Sequence, residues 1–205
     1  MNQFFRDMWD VLRLRYRPFE TYQYPAWVYA LILLLCGVST AAVMHMGFSA
    51  QPEYPLKFSS SVGLVVFCVC MVVCQWWSLG YFVSKILKYY GAGDVPMWGY
   101  MLLTQAFTMF AVLFLYLPDA FVIVASFWGM WTLWIQLYGL FLVAGREVSG
   151  WRVMLSYVVA YLGYCLLMLV VGCVFLVLGV VESPELNKEM QRIMQEQQQL
   201  QQPAK

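Results

Sequence analysis

Long apolar runs separated by short polar breaks dominate the sequence. The clearest break is residues 84–100, where glycine, aspartate and proline favour a turn between two helices. Each apolar run provides the roughly 20 residues that a helix needs to cross a bilayer. The pattern therefore predicts an all-α membrane protein, a bundle of five transmembrane helices at about residues 25–44, 59–84, 97–117, 120–144 and 153–181.

The long run from 97 to 144 has to be divided to give this count. Its only charged residue is Asp119, and the run is more than twice as long as one crossing requires. Pro118 and Asp119 are typical of a tight turn and mark the corner between two helices. The sequence therefore predicts a helical hairpin here.

Composition limits the class of protein. Of 205 residues, 62% are hydrophobic and only 11% are charged, which is too little charge to solvate a globular surface. The net charge is +1, and no long basic run is present. We therefore expect a lipid bilayer as the surroundings and no nucleic-acid partner.

The six cysteines all fall within apolar runs, where cysteine behaves as a small hydrophobic residue. Cys70 and Cys74 are four residues apart and could share one helix face, which is compatible with a soft-metal site. No histidine or carboxylate lies near them in the sequence, so packing is the expected role. No metal and no other cofactor is predicted.

Residues 1–20 predict an amphipathic helix lying at the cytoplasmic membrane surface, with arginines that meet anionic lipid. The alternative is a solvated basic leader. At helical spacing, one side carries Phe5, Trp9, Leu12, Tyr16 and Phe19, and another side carries Arg6, Arg13 and Arg17.

The basic residues predict the orientation of the five spans. Only Lys57 lies in the short loops of the opposite side, so the positive-inside rule places the amino terminus in the cytoplasm and the carboxy-terminal tail outside. The basic residues on the amino-terminal side are Arg6, Arg13, Arg15, Arg17, Lys85, Lys88, Arg146 and Arg152.

The tail, residues 182–205, is rich in glutamine. Ser183 and Pro184 are typical of a helix start, and Leu186, Met190 and Ile193 follow at spacings of four and three. This pattern predicts an amphipathic tail helix that docks on a partner or on its own copy. The alternative is a frayed tail, because so short a seam holds a coiled coil weakly.

The spans carry little catalytic chemistry. The central part of each span lacks aspartate, glutamate, lysine and arginine, the residues that usually mark ion paths and proton relays. The sequence also lacks a phosphate-binding glycine loop, a His-Glu-x-x-His helix and a Gly-x-Ser-x-Gly elbow. We therefore expect neither an enzyme nor an ion-driven transporter.

Three glutamines stand out within the spans. Counted from the cytoplasmic ends, Gln75, Gln105 and Gln136 lie at similar depths of about 12–14 Å, with Tyr161 of the last span near the same level. Amides in hydrocarbon are costly without partners, so these should face inward and bond one another. They could fasten the helices, line a polar cavity for a lipid headgroup or small solute, or contact a partner's span.

Two short motifs resemble a known family. Gly99-Tyr100 opens the third predicted span, and the fourth leads into Leu-Tyr-Gly-Leu-Phe-Leu-Val-Ala-Gly-Arg-Glu-Val-Ser-Gly at residues 137–150. With five spans and a cytoplasmic amino terminus, the chain resembles the Yip (Ypt-interacting protein) domain family over about residues 20–181. It lacks the Asp-Leu-Tyr-Gly-Pro motif of eukaryotic members. The resemblance to the small bacterial members implies a multi-pass inner-membrane protein with a periplasmic carboxy terminus and no catalytic residue.

Two functional hypotheses follow. The favoured one is a non-enzymatic scaffold or accessory subunit that binds another membrane protein or a second copy of itself, because a transport path normally needs more polar groups than three amides. The alternative is a small carrier or lipid-handling protein with a glutamine-lined polar layer. The candidate partner contacts of the first hypothesis are Arg146, Glu147, Leu186, Met190 and Ile193.

Overall fold

The computed structural model describes residues 1–50, 57–92, 96–116, 122–144 and 148–182, and these are predominantly helical. The all-α expectation is confirmed. The helices are α1 (Asn2–Leu12), α2 (Ala26–Ala50), α3 (Ser61–Tyr89), α4 (Trp98–Gln105), α5 (Val122–Ala144) and α6 (Gly150–Val177), with 3₁₀ helices at Phe19–Thr21 and Ala106–Tyr116 and strands β1 (Lys57–Phe58) and β2 (Val181–Glu182).

Within the described ranges, four helices, α2, α3, α5 and α6, are long and apolar enough to cross a membrane. The third predicted span is different, because α4 has 8 residues and continues as an 11-residue 3₁₀ helix. The chain is thus helical where the third span was expected, but in two conformations. The predicted corner at residues 118–119 lies outside the described residues.

Local signals explain several helix ends. The Ser60 hydroxyl caps α3 by accepting a hydrogen bond from the Gly63 amide at 3.0 Å. After α3 the chain turns at Gly91, whose φ of +97° is a conformation that favours glycine. Gly179, with φ +67°, likewise turns the chain after α6. The last helix therefore ends at Val177 rather than at 181.

Helix α3 is central and packs along both α2 and α6. Gly37 on α2 approaches the Val69 backbone so closely that an added Cβ would lie 2.7 Å from the Val69 Cα. On the other side, Ser78 donates a hydrogen bond to the Ala160 carbonyl at 2.8 Å. Small residues therefore permit close helix contact on both faces of α3.

Helix α1 is shorter than the predicted amphipathic helix. It ends at Leu12, and Leu14 adopts the left-handed conformation with φ +60°, so residues 13–20 do not continue it. Phe5 and Trp9 are exposed, whereas Phe19 is buried in the bundle. The predicted helix over residues 1–20 is therefore wrong in its extent, because the chain reverses and buries Phe19 instead of continuing the apolar face of Phe5 and Trp9.

A short antiparallel ladder connects two distant parts of the chain. Lys57 pairs with Glu182 and Phe58 pairs with Val181. The Ser59 amide also donates to the Val180 carbonyl at 3.0 Å. The carboxyl end of α6 therefore lies beside the amino end of α3, a contact that the apolar pattern did not predict.

Candidate functional site

A cavity of about 180 Å³ lies between α3, α4 with its 3₁₀ continuation, α5 and α6. All four residues of the predicted polar layer line it, although they come from four separate helical segments. The lining residues are Gln75, Leu79, Thr104, Gln105, Thr108, Gly129, Thr132, Leu133, Gln136, Tyr157 and Tyr161.

Helical spacing brings these side chains to one place. On α5, Gly129, Thr132 and Gln136 are three and four residues apart and share a face. On α6, Tyr157 and Tyr161 are four apart in the same way. The cavity is therefore built from the inward stripes of several helices rather than from a loop.

Gln136 is bonded at both ends of its amide. Its Nε2 donates to the Thr104 hydroxyl at 3.2 Å and to the Met101 sulfur at 3.3 Å. Its Oε1 accepts a hydrogen bond of 2.8 Å from the Tyr157 hydroxyl. Gln136 is only 8% exposed, so these bonds fasten α4, α5 and α6 together inside the bundle.

Gln105 is bonded at one end only. Its Nε2 donates to the Val72 carbonyl at 3.1 Å and to Gln75 Oε1 at 3.3 Å. The Val72 carbonyl fixes which end of the Gln105 amide is nitrogen, since an amide oxygen there would face a carbonyl oxygen. The opposite atom, Gln105 Oε1, is enclosed and has no donor among the described residues.

The threonine hydroxyls around the cavity donate to backbone carbonyls. Thr108 donates to Gln105 and Thr132 donates to Gly129, each at 2.8 Å. Thr104 shares its proton between the Tyr100 and Met101 carbonyls at 3.2 and 3.1 Å. These hydroxyls therefore offer the cavity acceptor lone pairs and no free proton.

The cavity opens on the α5–α6 side. Among its lining residues, Gly129, Leu133 and Tyr161 are exposed, with Leu133 at 47% and Tyr161 at 39%. Gln75 is half-buried, and its Nε2, like the Tyr161 hydroxyl, makes no hydrogen bond within the described part of the chain. Free donors are therefore found among the less buried lining residues, whereas the buried ones present acceptors.

The site is uncharged. Its lining contains no lysine, arginine, aspartate or glutamate. Within the described ranges, no group of three or more metal-ligating side chains could hold an ion. Cys70 and Cys74 are not among the lining residues. The arrangement can therefore hold an uncharged polar group through hydrogen bonds, and it provides no nucleophile with an adjacent base.

A second polar cluster, which we call the amino-terminal seat, consists of Asp7, Asp10, Arg17, Tyr22 and Tyr24. The Arg17 amide donates a hydrogen bond to the Tyr22 hydroxyl at 2.9 Å. The buried Asp7 carboxylate accepts hydrogen bonds from Arg17 at 3.4 Å and from the Tyr24 hydroxyl at 3.0 Å, and Arg17 also reaches Asp10 at 2.7 Å. Burial, followed by the charge of Asp7, raises the pKa of Tyr24 well above its ordinary value. The seat holds residues 13–24 against α1.

Sequence reasoning missed this seat and the role of Gly129. The sequence pattern places the arginines of residues 1–20 at the lipid surface or in solvent. A carboxylate and an arginine ten residues apart can be recognised as a pair only once the chain reversal between them is known. The candidate partner contacts Arg146, Glu147, Leu186, Met190 and Ile193 lie outside the described residues.

Comparison with protein-family models, with characterised proteins and with solved structures found no match. The function of the chain is therefore inferred from the residues of its own site.

Proposed function

We propose that this chain is a non-enzymatic, multi-pass membrane protein that takes an uncharged amphiphile from the bilayer into the cavity between α3, α4, α5 and α6. The observation that carries this proposal is the cavity itself, a polar space of about 180 Å³ inside a bundle whose long helices are apolar enough to lie in lipid. Polar groups at such depth are usually functional or fully paired.

Helix fastening explains only part of the polar layer. Gln136, Thr104 and Tyr157 satisfy one another and need no ligand. Gln105 Oε1 has no donor, and leaving a buried acceptor unpaired costs about 1–3 kcal/mol. A layer that served only to hold helices together would gain by closing this space. A bound ligand accounts for both the space and the free acceptor.

The exposed wall of the cavity favours lateral entry. Gly129 and Leu133 on α5 and Tyr161 on α6 lie at the outer surface of the bundle. Helix α6 is apolar and little covered by the rest of the chain, since only 6% of its most hydrophobic stretch is buried. A molecule that already resides in the membrane reaches the site between α5 and α6 without crossing water.

The proposal includes five crossings, with α4 and its 3₁₀ continuation as the third. At about 1.5 Å per α-helical residue and about 2.0 Å per 3₁₀ residue, the segment Trp98–Tyr116 spans about 34 Å, enough for a hydrocarbon core of about 30 Å. The ladder between β1 and β2 supports the same count, because five crossings bring the end of α2 and the end of α6 to one side.

The orientation follows from charge. Lys57 lies at the β1–β2 end, whereas most lysines and arginines lie at the other end, with α1, the end of α3 and the start of α6. The positive-inside rule places that basic end in the cytoplasm of the cell and the other outside, in the periplasm if the membrane is a bacterial inner membrane. Exposed Phe5 and Trp9, with the Arg13 guanidinium 4.5 Å from the Trp9 ring, suit α1 to the headgroup layer.

Lipid co-purification tests the proposal. Gly129→Leu places a larger side chain at the exposed rim of the cavity, and a Cβ at Gly129 meets no atom within 4 Å, so the fold should tolerate it. Gly172→Leu on α6 is the matched control, because its Cβ also meets nothing and Gly172 is not a lining residue. Native mass spectrometry should find an uncharged amphiphile on the wild type and on the control but not on Gly129→Leu.

Equal lipid content in all three proteins would contradict cavity binding. Accessory-subunit function stays a prediction that rests on residues outside the described part of the chain. A stoichiometric membrane-protein partner in a mild-detergent pull-down, lost when residues 183–202 are removed, would support it independently of the cavity.

A further inference from the structure

We infer that the ligand of the cavity is a hydrogen-bond donor, an uncharged lipid that presents a free hydroxyl to Gln105. This inference rests on the proposed function and adds the chemical class of the ligand. Two observations at the buried wall carry the inference. The donors there already bond to acceptors within the protein, and one acceptor, Gln105 Oε1, has no donor.

The buried wall has almost no proton to offer. Both amide protons of Gln105 and both of Gln136 are directed to acceptors within the protein. Beside this wall, the hydroxyls of the half-buried Thr108 and Thr132 also donate to carbonyls one helical turn back. A ligand whose polar atoms are all acceptors, such as an ether or a quinone, would therefore meet oxygen against oxygen at this wall.

One acceptor is free at the same place. Gln105 is 6% exposed, and its Oε1 has no donor among the described residues. The oxygen has almost no accessible surface, so a hydroxyl reaches it only if the side chain of the half-buried Gln75, bonded to the other end of the same amide, moves aside. A hydroxyl that reaches Gln105 Oε1 supplies the missing hydrogen bond.

The absence of charge on the lining selects against ionic headgroups. An ammonium or phosphate group inside the bundle would need a counter-charge, because an ion is expensive to remove from water without one. The lining provides amides, hydroxyls and apolar atoms only. A neutral hydroxyl has no such requirement.

Size limits the headgroup. The cavity of about 180 Å³ is somewhat larger than cavities of about 150 Å³ that admit benzene, a molecule of about six non-hydrogen atoms. A primary alcohol fits, and so does a glycerol headgroup. The amide of Gln75 and the hydroxyl of Tyr161 are free donors toward the outside, where the ester carbonyls of an acylglycerol would lie. A long-chain alcohol and a diacylglycerol share the required hydroxyl.

Photo-crosslinking in phosphatidylcholine nanodiscs tests this inference with the full chain. The probe is hexadecanol carrying a diazirine on its chain, and the unlabelled competitors are hexadecanol, dioleoylglycerol and the O-methyl ether of each. The ethers keep every acceptor and carry a methyl group in place of the donated proton, so the loss of the alcohol's advantage in Gln105→Leu separates the lost hydrogen bond from the added bulk. Because an ether leaves the buried acceptor unpaired, which costs about 1.4 kcal/mol, the alcohols should compete at about tenfold lower concentration than their ethers.

The two ligand sources separate in the same experiment. Tighter competition by dioleoylglycerol than by hexadecanol identifies an acylglycerol, and the reverse identifies a simple long-chain alcohol. In Gln105→Leu the advantage of each alcohol over its ether should fall to less than about threefold, since the acceptor is gone. The comparison of alcohol with ether in the wild type needs no variant and holds even if Gln105→Leu fails to fold.

Failure of the inference and failure of the proposed function give different results. If ethers compete as well as alcohols, and labelling still disappears in Gly129→Leu but not in Gly172→Leu, the donor requirement is overturned and cavity binding stands. If labelling is the same in both glycine variants, cavity binding is overturned and the donor requirement with it.

Discussion

The hydrogen bond between Tyr157 and Gln136 gives the sharpest test of how the bundle is fastened. It is 2.8 Å long and joins α6 to α5, and the two residues are 7% and 8% exposed. Tyr157→Phe removes the donor and leaves Gln136 Oε1 buried without a proton. Gln136→Leu in turn leaves the Tyr157 hydroxyl buried without its acceptor. Each single change should therefore destabilise the protein by about 1–2 kcal/mol.

The double variant Tyr157→Phe with Gln136→Leu should cost less than the sum of the two single changes. Replacing both partners by apolar groups removes the unsatisfied atom that each single variant leaves. Couplings between buried side chains in membrane bundles average about 0.6 kcal/mol and reach about 1.7 kcal/mol. We expect about 1 kcal/mol here, because the bond is short and both partners are more than nine-tenths buried.

Reversible unfolding in mixed micelles of sodium dodecyl sulfate, followed by circular dichroism, measures the four free energies. Tyr161→Phe is the matched control: Tyr161 is 39% exposed and its hydroxyl makes no hydrogen bond in the described ranges, so the change should stay within about 0.5 kcal/mol. Single effects that add to within about 0.3 kcal/mol would mean that the pair does not fasten the helices.

Three further predictions concern the amino-terminal seat and its contact with α4. Gly99→Ala should destabilise the protein by about 1–3 kcal/mol in thermal unfolding, because the new Cβ would overlap the Tyr22 carbonyl, and this reverses the gain that alanine normally brings to a helix. Arg17→Met should increase proteolysis of the amino-terminal segment several-fold, since the buried Asp7 loses a charged donor, whereas Arg15→Met, an exposed site without an ion pair in the described ranges, should not. Burial raises the pKa of Tyr22, so the stability that neutral Tyr22 contributes is complete below about pH 10 and declines as the pH rises further. Proteolysis at a series of alkaline pH values should show release of the amino-terminal segment beginning near about pH 10. Release below about pH 9 would contradict this assignment.

The polar layer could be predicted because it depends on simple physics. Amides are expensive in hydrocarbon, and a fixed rise per residue gives their depth, so Gln75, Gln105 and Gln136 could be assigned to one level. The structure brings all three to one cavity. Which amide would keep a free atom could not be predicted, because that depends on the rotation of each helix about its axis and on the carbonyl of Val72.

Other features depend on backbone geometry that hydrophobic patterns do not encode. Apolar residues suit an α-helix and a 3₁₀ helix equally, so the change of conformation at Ala106 leaves no trace in the pattern. The ladder involves only two residues on each strand, too few for an alternation to be read. The reversal after Leu12 depends on a positive φ at Leu14, a residue type that rarely adopts one.

The polar layer has one amide, Gln136, that is fully bonded and another, Gln105, that is not. The incompletely bonded amide lies where α4 changes into the 3₁₀ helix. Gln136 is satisfied at both ends, whereas Gln105, the last residue of α4, is satisfied at one, and the 3₁₀ segment begins directly after it. A 3₁₀ run longer than about four residues is uncommon, and within a helix such a run often marks a functional hinge or a strained sequence. A layer that only fastened helices would require neither the long 3₁₀ run nor the open acceptor. Because both occur beside the same cavity, they support the proposed binding of a ligand over packing alone.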